Sequence, residues 1–423
     1  MKEITEKDLN RSQLMYIIQA ALEYFVAILV SGSFLATITK ELGFSDSLTG
    51  ILSALVSLGC LYQLFSLSIR KTKAKRFVII FSIINQLVFM LLYVIPLLNL
   101  HKTVKIAIFI ALILSAYFIY YVANPKKINW LMSLIDDRQR GSFTANKEIV
   151  SLASGIAFSF GMGALIDYFS AMNQIRIAFI LSAVVIFTLT VLHSLTLIFT
   201  VEKEAPLVQK KNFVQELKEL IKNKKLLHVT VILLFYYVST YVSTPFYGSF
   251  QISELAFSLT FVSAISICGS VSRICASKFW GRFADKYSFA SMIEKCFIIL
   301  AISQLCIVFA FPSLGKIMFI LYYFFHGIAQ GGINSALTNL IFDYVPTEKR
   351  ADSLAITQAL AGLTGFLTTL LISPLISYVQ ACGNKIFGIP LYAQQLVTVI
   401  ALIFTVLAIL YTRYVLISKR KKQ

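Results

Sequence analysis

Charge is scarce in this chain. Only 14% of its 423 residues are Asp, Glu, Lys or Arg, while 58% are hydrophobic, and the mean hydropathy is +0.79. A soluble fold of this length has no core large enough to hide that much apolar surface. Histidine occurs only four times, and the six cysteines (Cys60, Cys268, Cys275, Cys296, Cys306, Cys382) are scattered without metal-ligand spacing. They are expected to be small apolar fillers, and neither a metal nor another cofactor is expected. There is no Ser/His/Asp set and no phosphate-binding glycine loop, so neither an enzyme nor an ATP-driven pump is expected. The apolar–polar alternation of a transmembrane β-barrel is missing as well. "MKEITEKDLNRSQ" is polar and leads into an apolar run of full spanning length with no small-residue cleavage site. No removable leader is therefore expected.

What the chain does have is hydrophobic runs of about 20 residues, each long enough to cross the hydrocarbon of a bilayer. Twelve spans are predicted, at 14–38, 47–68, 77–99, 105–123, 143–168, 176–200, 228–250, 259–278, 295–312, 316–343, 353–379 and 393–415. The fold class is thus an all-α integral membrane protein. An even number of spans puts both termini on one side. Of the 38 basic residues, 30 fall on the side of the termini, including "RKTKAKR" and the "PKKINWLM" loop, and 6 on the other. By the positive-inside rule both termini are expected in the cytoplasm, with the chain multi-pass in the cytoplasmic membrane. The net charge of +18 is then topological, and no nucleic-acid partner is expected.

The chain repeats itself. "LEYFVAILVSGSF" from Leu22 matches "LFYYVSTYVSTPF" from Leu234, 212 residues on, and "SALVSLG" from Ser53 matches "SAISICG" from Ser263. Arg140, Gly155 and "LIDY" at Leu165 match Arg350, Gly365 and "LISY" at Leu375, all 210 apart. Two related six-helix bundles are expected, at 1–200 and 228–423, joined by a cytoplasmic central loop at 201–227. In that loop Phe213, Leu217, Leu220 and Ile221 share a helical face, which suits either a membrane-surface helix or a plain linker. Transporters built from such repeats bind their substrate at the repeat interface near mid-membrane.

The segment after span eight, "KFWGRFADKY", contains Gly281, Arg282, Phe283, Ala284, Asp285 and Lys286. With twelve spans, a 6+6 repeat and a basic central loop, it resembles the major facilitator superfamily of secondary transporters over essentially the whole chain. The resemblance implies a cytoplasmic gating element: Gly281 for a close helix-to-loop bend, Asp285 facing a neighbouring helix N-terminus, and Lys286 beside it. Arg140 and Arg350 are the partners it suggests. The first-half copy, "SIRKTKAKR" from Ser68, lacks both the glycine and the aspartate, so a symmetric pair of latches is not expected. The superfamily's helix-four arginine is missing from "LSAYFIYYVAN". Its helix-five Gly-Pro signature is missing from "SGIAFSFGMGALID", which speaks against multidrug efflux. "NWLMSLIDDRQRGSFTANKE" and "INSALTNLIFDYVPTEKR" resemble loop segments of a bacterial branch of the superfamily.

The candidate site residues are polar side chains inside the spans. Glu23 lies deep in span one, with Gln19 one turn earlier on the same face. A carboxyl in hydrocarbon is costly, and the repeat places Phe235 opposite it, so packing alone does not require it. It is expected to be either a proton carrier or substrate ligand, or a protonated carboxyl bonding a neighbouring helix. Tyr237 and Tyr241 share a face of span seven, as cavity lining or as interhelical bonds. His326, Gln330 and Asn334 repeat at four-residue intervals on span ten, with glycines at 327, 331 and 332 allowing close helix approach. They form a substrate- or proton-handling face or a buried polar seam. Asn124 matches Asn334 across the repeat. Arg273 on span eight suits snorkelling to the interface or a counter-ion role. Asn85 and Gln86 on span three are weaker candidates.

The sequence therefore suggests a monomeric secondary transporter of a small neutral, zwitterionic or amphipathic solute, with protons as the coupling ion and the bilayer as its setting. A lipid flippase or efflux protein of the same fold, or a membrane sensor that transports nothing, is the alternative.

Overall fold

The computed structural model describes residues 5–59, 61–62, 74–136, 140–202, 223–343, 345, 350–386 and 389–417. The first-half motif copy up to residue 73, Cys60 and the apolar face at 213–221 lie outside them. Among the described residues, ten helices are long and apolar enough to cross a membrane. The only strands there are two residues each, β1 (Lys385–Ile386) and β2 (Ile389–Pro390), paired antiparallel.

Span one is not continuous. Helix α1 (Glu6–Leu29) begins with a capping box, Thr5 accepting from the Asp8 amide and Asp8 reaching back to the Thr5 N–H. The chain then breaks at Val30–Ser31 and restarts as α2 (Gly32–Glu41), with Gly32 at φ +53°. That left-handed backbone suits glycine. The repeat-equivalent stretch of span seven breaks too. Helix α8 (Lys224–Ser243) gives way to a 3₁₀ turn at Thr244–Phe246, where Pro245 stands. Two different residues, one position apart in the repeat register, thus interrupt the helix. Proline does so by removing a donor, and glycine by adopting positive φ.

The chain divides into two compact units. Unit 1 comprises Met1–Phe44, Gly59–Lys210 and Phe257–Ser263. Its helices are α1, α2, α4 (Ala74–Val94), α5 (Lys102–Met132), α6 (Arg140–Ala171) and α7 (Ile175–Phe199). Helix α4 packs on α5 and α7, and α1 packs on α6 and α7. One buried cluster joins Tyr16, Val78, Trp130, Leu131 and Leu197. Helix α5 runs straight through Pro125, seven residues short of its last residue. Lys126 and Lys127, expected in a loop beyond a span ending at 123, both belong to this helix.

Unit 2 comprises Ser45–Leu58, Lys211–Ala256 and Ala264–Gln423. It holds α3 (Asp46–Ala54, extended by a 3₁₀ turn to Leu58), α8, most of α9 (Leu259–Lys286), α10 (Phe289–Val308), α11 (Gly315–Asp343), α12 (Arg350–Ala381) and α13 (Ala393–Tyr411). Helix α10 packs on α11 and α13, α8 on α12 and α13, and α3 on α12. Helices α9 and α11 approach closely at glycine, where a Cβ on Gly327 would lie 2.2 Å from the Gly269 carbonyl oxygen. The segment Phe257–Ser263, which starts α9, belongs to unit 1. There Asp167 of α6 caps it, accepting from the Leu259 amide at 2.9 Å and the Thr260 amide at 2.7 Å.

Candidate functional site

In unit 1, Glu23 has a partner that the sequence did not suggest. The Lys127 ammonium of α5 forms an ion pair with Glu23 Oε1, their side chains being 8% and 20% exposed. Gln19 is buried and lies one helical turn before Glu23. It donates to Glu23 Oε2 at 2.6 Å and sits 2.9 Å from His193 Nε2 of α7. With the amide nitrogen as donor, the imidazole accepts at Nε2 and carries its hydrogen on Nδ1. That Nδ1 is buried and has no partner among the described residues. Tyr120 of α5 lies within hydrogen-bonding reach of the Glu23 carboxylate, and its ring is 5.0 Å from the Lys127 nitrogen. Lys147 of α6 stands 5.3 Å from the Tyr16 ring, close enough to act electrostatically on both Lys127 and Glu23.

Glu23, expected as a proton carrier or substrate ligand or as a carboxyl bonding a neighbouring helix, contacts Lys127 of the neighbouring α5. It belongs to a network with Lys127, Gln19, His193 and Tyr120, drawn from three helices. A proton arriving at this carboxylate would cancel its attraction for Lys127 and leave an ammonium seeking another anion or dipole. The network can therefore trade a proton for a rearranged cation.

A second polar group lies in unit 2. Tyr236 of α8 and Gln330 of α11 exchange hydrogen bonds, Gln330 Nε2 to the hydroxyl at 2.8 Å and the hydroxyl to Oε1 at 3.2 Å. Gln330 lies 210 residues after Tyr120, so the same repeat position carries a polar contact in each unit. His326 stacks on Tyr322 with centroids 5.0 Å apart, and its Nδ1 is buried without a partner among the described residues. Arg273 is half-buried and close enough to act electrostatically on Tyr236 and His326. Tyr237 and Tyr241 stack at 5.6 Å. Asn334 is exposed and Asn124 half-buried. Of the weaker candidates, Asn85 donates to the Ala116 carbonyl at 2.7 Å, a helix–helix bond.

The motif after span eight is not a turn. Helix α9 continues through Lys286, so Gly281 sits inside a helix, with open space where a Cβ would be. The expected bend at Gly281 is absent, and Asp285 and Lys286 are both exposed. Arg140 and Arg350 are the first residues of α6 and α12, and their side chains lie outside the described residues.

No curated protein sequence matches this chain significantly. Solved structures do resemble it. The nucleoside transporter NupG superposes with a TM-score of 0.68 at 13% identity, covering 96% of this chain and 98% of NupG. A D-xylose-proton symporter gives 0.67 at 14% identity, with coverages of 93% and 96%. A bacterial homologue of the iron transporter ferroportin, in an inward-facing state, gives 0.69 at 12%, with coverages of 96% and 98%. At such identities the likeness concerns the fold alone. The sequence profile of the Major Facilitator Superfamily matches residues 16–369 and again 229–422, which together span nearly all of it. The chain belongs to the Major Facilitator Superfamily.

Proposed function

We propose that this protein is a proton-coupled secondary transporter that moves a small organic solute across the cytoplasmic membrane by alternating access, with both termini cytoplasmic. The observation that carries the reading is the Glu23–Lys127 ion pair with its Gln19 and His193 contacts. Taking two charges out of water costs several kcal/mol per ion, and apolar substitutes commonly stabilise a fold as well or better. The repeat-equivalent Phe235 is such a substitute within this chain. A pair kept despite that cost, beside a buried imidazole N–H with no acceptor among the described residues, is a site adapted to changing partners. Protonation of Glu23 releases Lys127, and the freed ammonium, the Gln19 amide and His193 Nδ1 then provide donors for a solute.

The test begins with a thermal-shift screen of neutral, zwitterionic and amphipathic solutes on purified protein, followed by counterflow in proteoliposomes. With a solute in hand, Glu23→Gln is expected to keep counterflow and to lose accumulation driven by a pH gradient. Full gradient-driven accumulation by the variant would refute the assignment.

A further inference from the structure

Among the carboxylates of unit 2, Asp46 and Glu254 are buried or half-buried with no ion-pair partner among the described residues. Asp46, the first residue of α3, is 8% exposed, and Glu254, beyond the break in span seven, is half-buried. Asp46 Oδ2 accepts from Gln380 Nε2 of α12 and from Gln394 Nε2 of α13, both at 2.9 Å. The same Gln380 nitrogen donates to Glu254 Oε1 at 2.7 Å, and Asn384 Nδ2 donates to Glu254 Oε2 at 3.2 Å. One amide thus links the two acids.

The Gln394 side chain is fully buried, yet its Oε1 has no donor among the described residues. An ionised Asp46 cannot provide one, because a carboxylate only accepts. A neutral Asp46 can. Gln394 already donates to Oδ2, so a hydrogen on Oδ1 directed at Gln394 Oε1 would complete the paired bonds that a carboxylic acid and an amide form. We propose that Asp46 is a proton-binding site whose hydrogen is shared with Gln394 Oε1 and secures α3 in its seat in unit 2.

Asp46 stands just before the span that begins at 47. Burial pushes its carboxyl above the usual carboxylate range, a shift that the Gln380 amide opposes and the Glu254 charge reinforces. The other groups around the cluster are Ser249, within hydrogen-bonding reach of Asp46, Tyr392, on which Glu254 acts, and Lys385, which is exposed on β1. Loss of the proton leaves two negative carboxylates sharing one amide, and an amide carbonyl still unpaired. A group whose proton affinity is raised by folding stabilises fully at low pH and loses that contribution as pH rises through its folded-state pKa. The seat of α3 should therefore loosen with rising pH. The neighbouring Ser47–Ser373 hydroxyl contact holds the same segment independently of pH. This site is separate from the coupling reading and does not depend on it.

The test is hydrogen exchange of segment 45–58 in the full-length protein in detergent, from pH 5 to pH 8, corrected for intrinsic rates. In the wild type, the opening equilibrium is expected to rise by up to about tenfold per pH unit across the titration. Asp46→Asn is expected to abolish that dependence. Glu254→Gln keeps Asp46 and Gln394 but removes the neighbouring negative charge that favours the neutral acid, so its midpoint is expected at lower pH; it serves alone if D46N does not fold. Wild-type protection independent of pH, a pH dependence surviving in D46N, or an unshifted midpoint in E254Q would overturn the proposal. So would protection restored at pH 7.5 by sodium but not choline chloride, which would assign the cluster to a metal cation.

Discussion

Removing the Lys127 ammonium with Lys127→Met leaves the Glu23 carboxylate with the Gln19 and Tyr120 contacts and, among the described residues, no cation in direct contact. Breaking a buried pair by deleting one partner typically costs about 3–5 kcal/mol. Glu23 is 20% exposed, so water recovers part of this, and about 2–3 kcal/mol is expected. Glu23→Gln leaves Lys127 unpaired and is expected to cost a similar amount. The double variant buries neither charge and should fall within about 1 kcal/mol of the wild type. The two substitutions would then be non-additive by at least about 3 kcal/mol. Unfolding of purified protein in mixed micelles by graded SDS measures all four corners of this cycle. If the double variant loses the sum of the single losses to within about 0.5 kcal/mol, the two side chains do not interact as described.

Three further substitutions test other parts of the structure. Gly327→Ala puts a methyl 2.2 Å from the Gly269 carbonyl, which as backbone cannot step aside; a loss of about 1–3 kcal/mol is expected in the same SDS titration. Gly281→Ala, inside a helix with open space around it, should leave transport unchanged and gain up to about 1 kcal/mol. A loss of transport there would mean that Gly281 is required as a bend. Asp167→Asn removes the charge from the cap on α9 and is expected to cost about 1–2 kcal/mol, seen as faster hydrogen exchange at Leu259 and Thr260.

The spans were legible because apolar runs of membrane length have few other uses, and the repeat was legible because its offset hardly drifts. Glu23, Gln19, His326 and Gln330 were legible as polar letters in apolar runs, and the structure gives each a polar or aromatic partner. Lys127 was missed for a physical reason. The apolar run expected as span four ends at 123 and leaves Lys127 in a loop, but α5 carries Pro125 inside and places Lys127 opposite Glu23. His193 gave a usable signal, an imidazole within "FTLTVLHSLTLIF", which an intramembrane polar residue warrants following. The break in span one was marked by "VSGS", where Gly32 takes a positive φ, but apolar periodicity passed over it. The Asp46 cluster was not legible, because its members come from positions 46, 254, 380, 384 and 394 and meet only when the chain is folded. The motif at Gly281 illustrates the opposite error, since a resemblance suggested a turn where the backbone is helical.

The most direct measurement of the central claim is proton movement during downhill solute flux, read with a pH-sensitive dye inside proteoliposomes. Wild-type protein is expected to move protons whenever solute moves, and Glu23→Gln to pass solute with the internal pH unchanged. Solute flux without proton movement in the wild type, or undiminished proton movement in the variant, would contradict it.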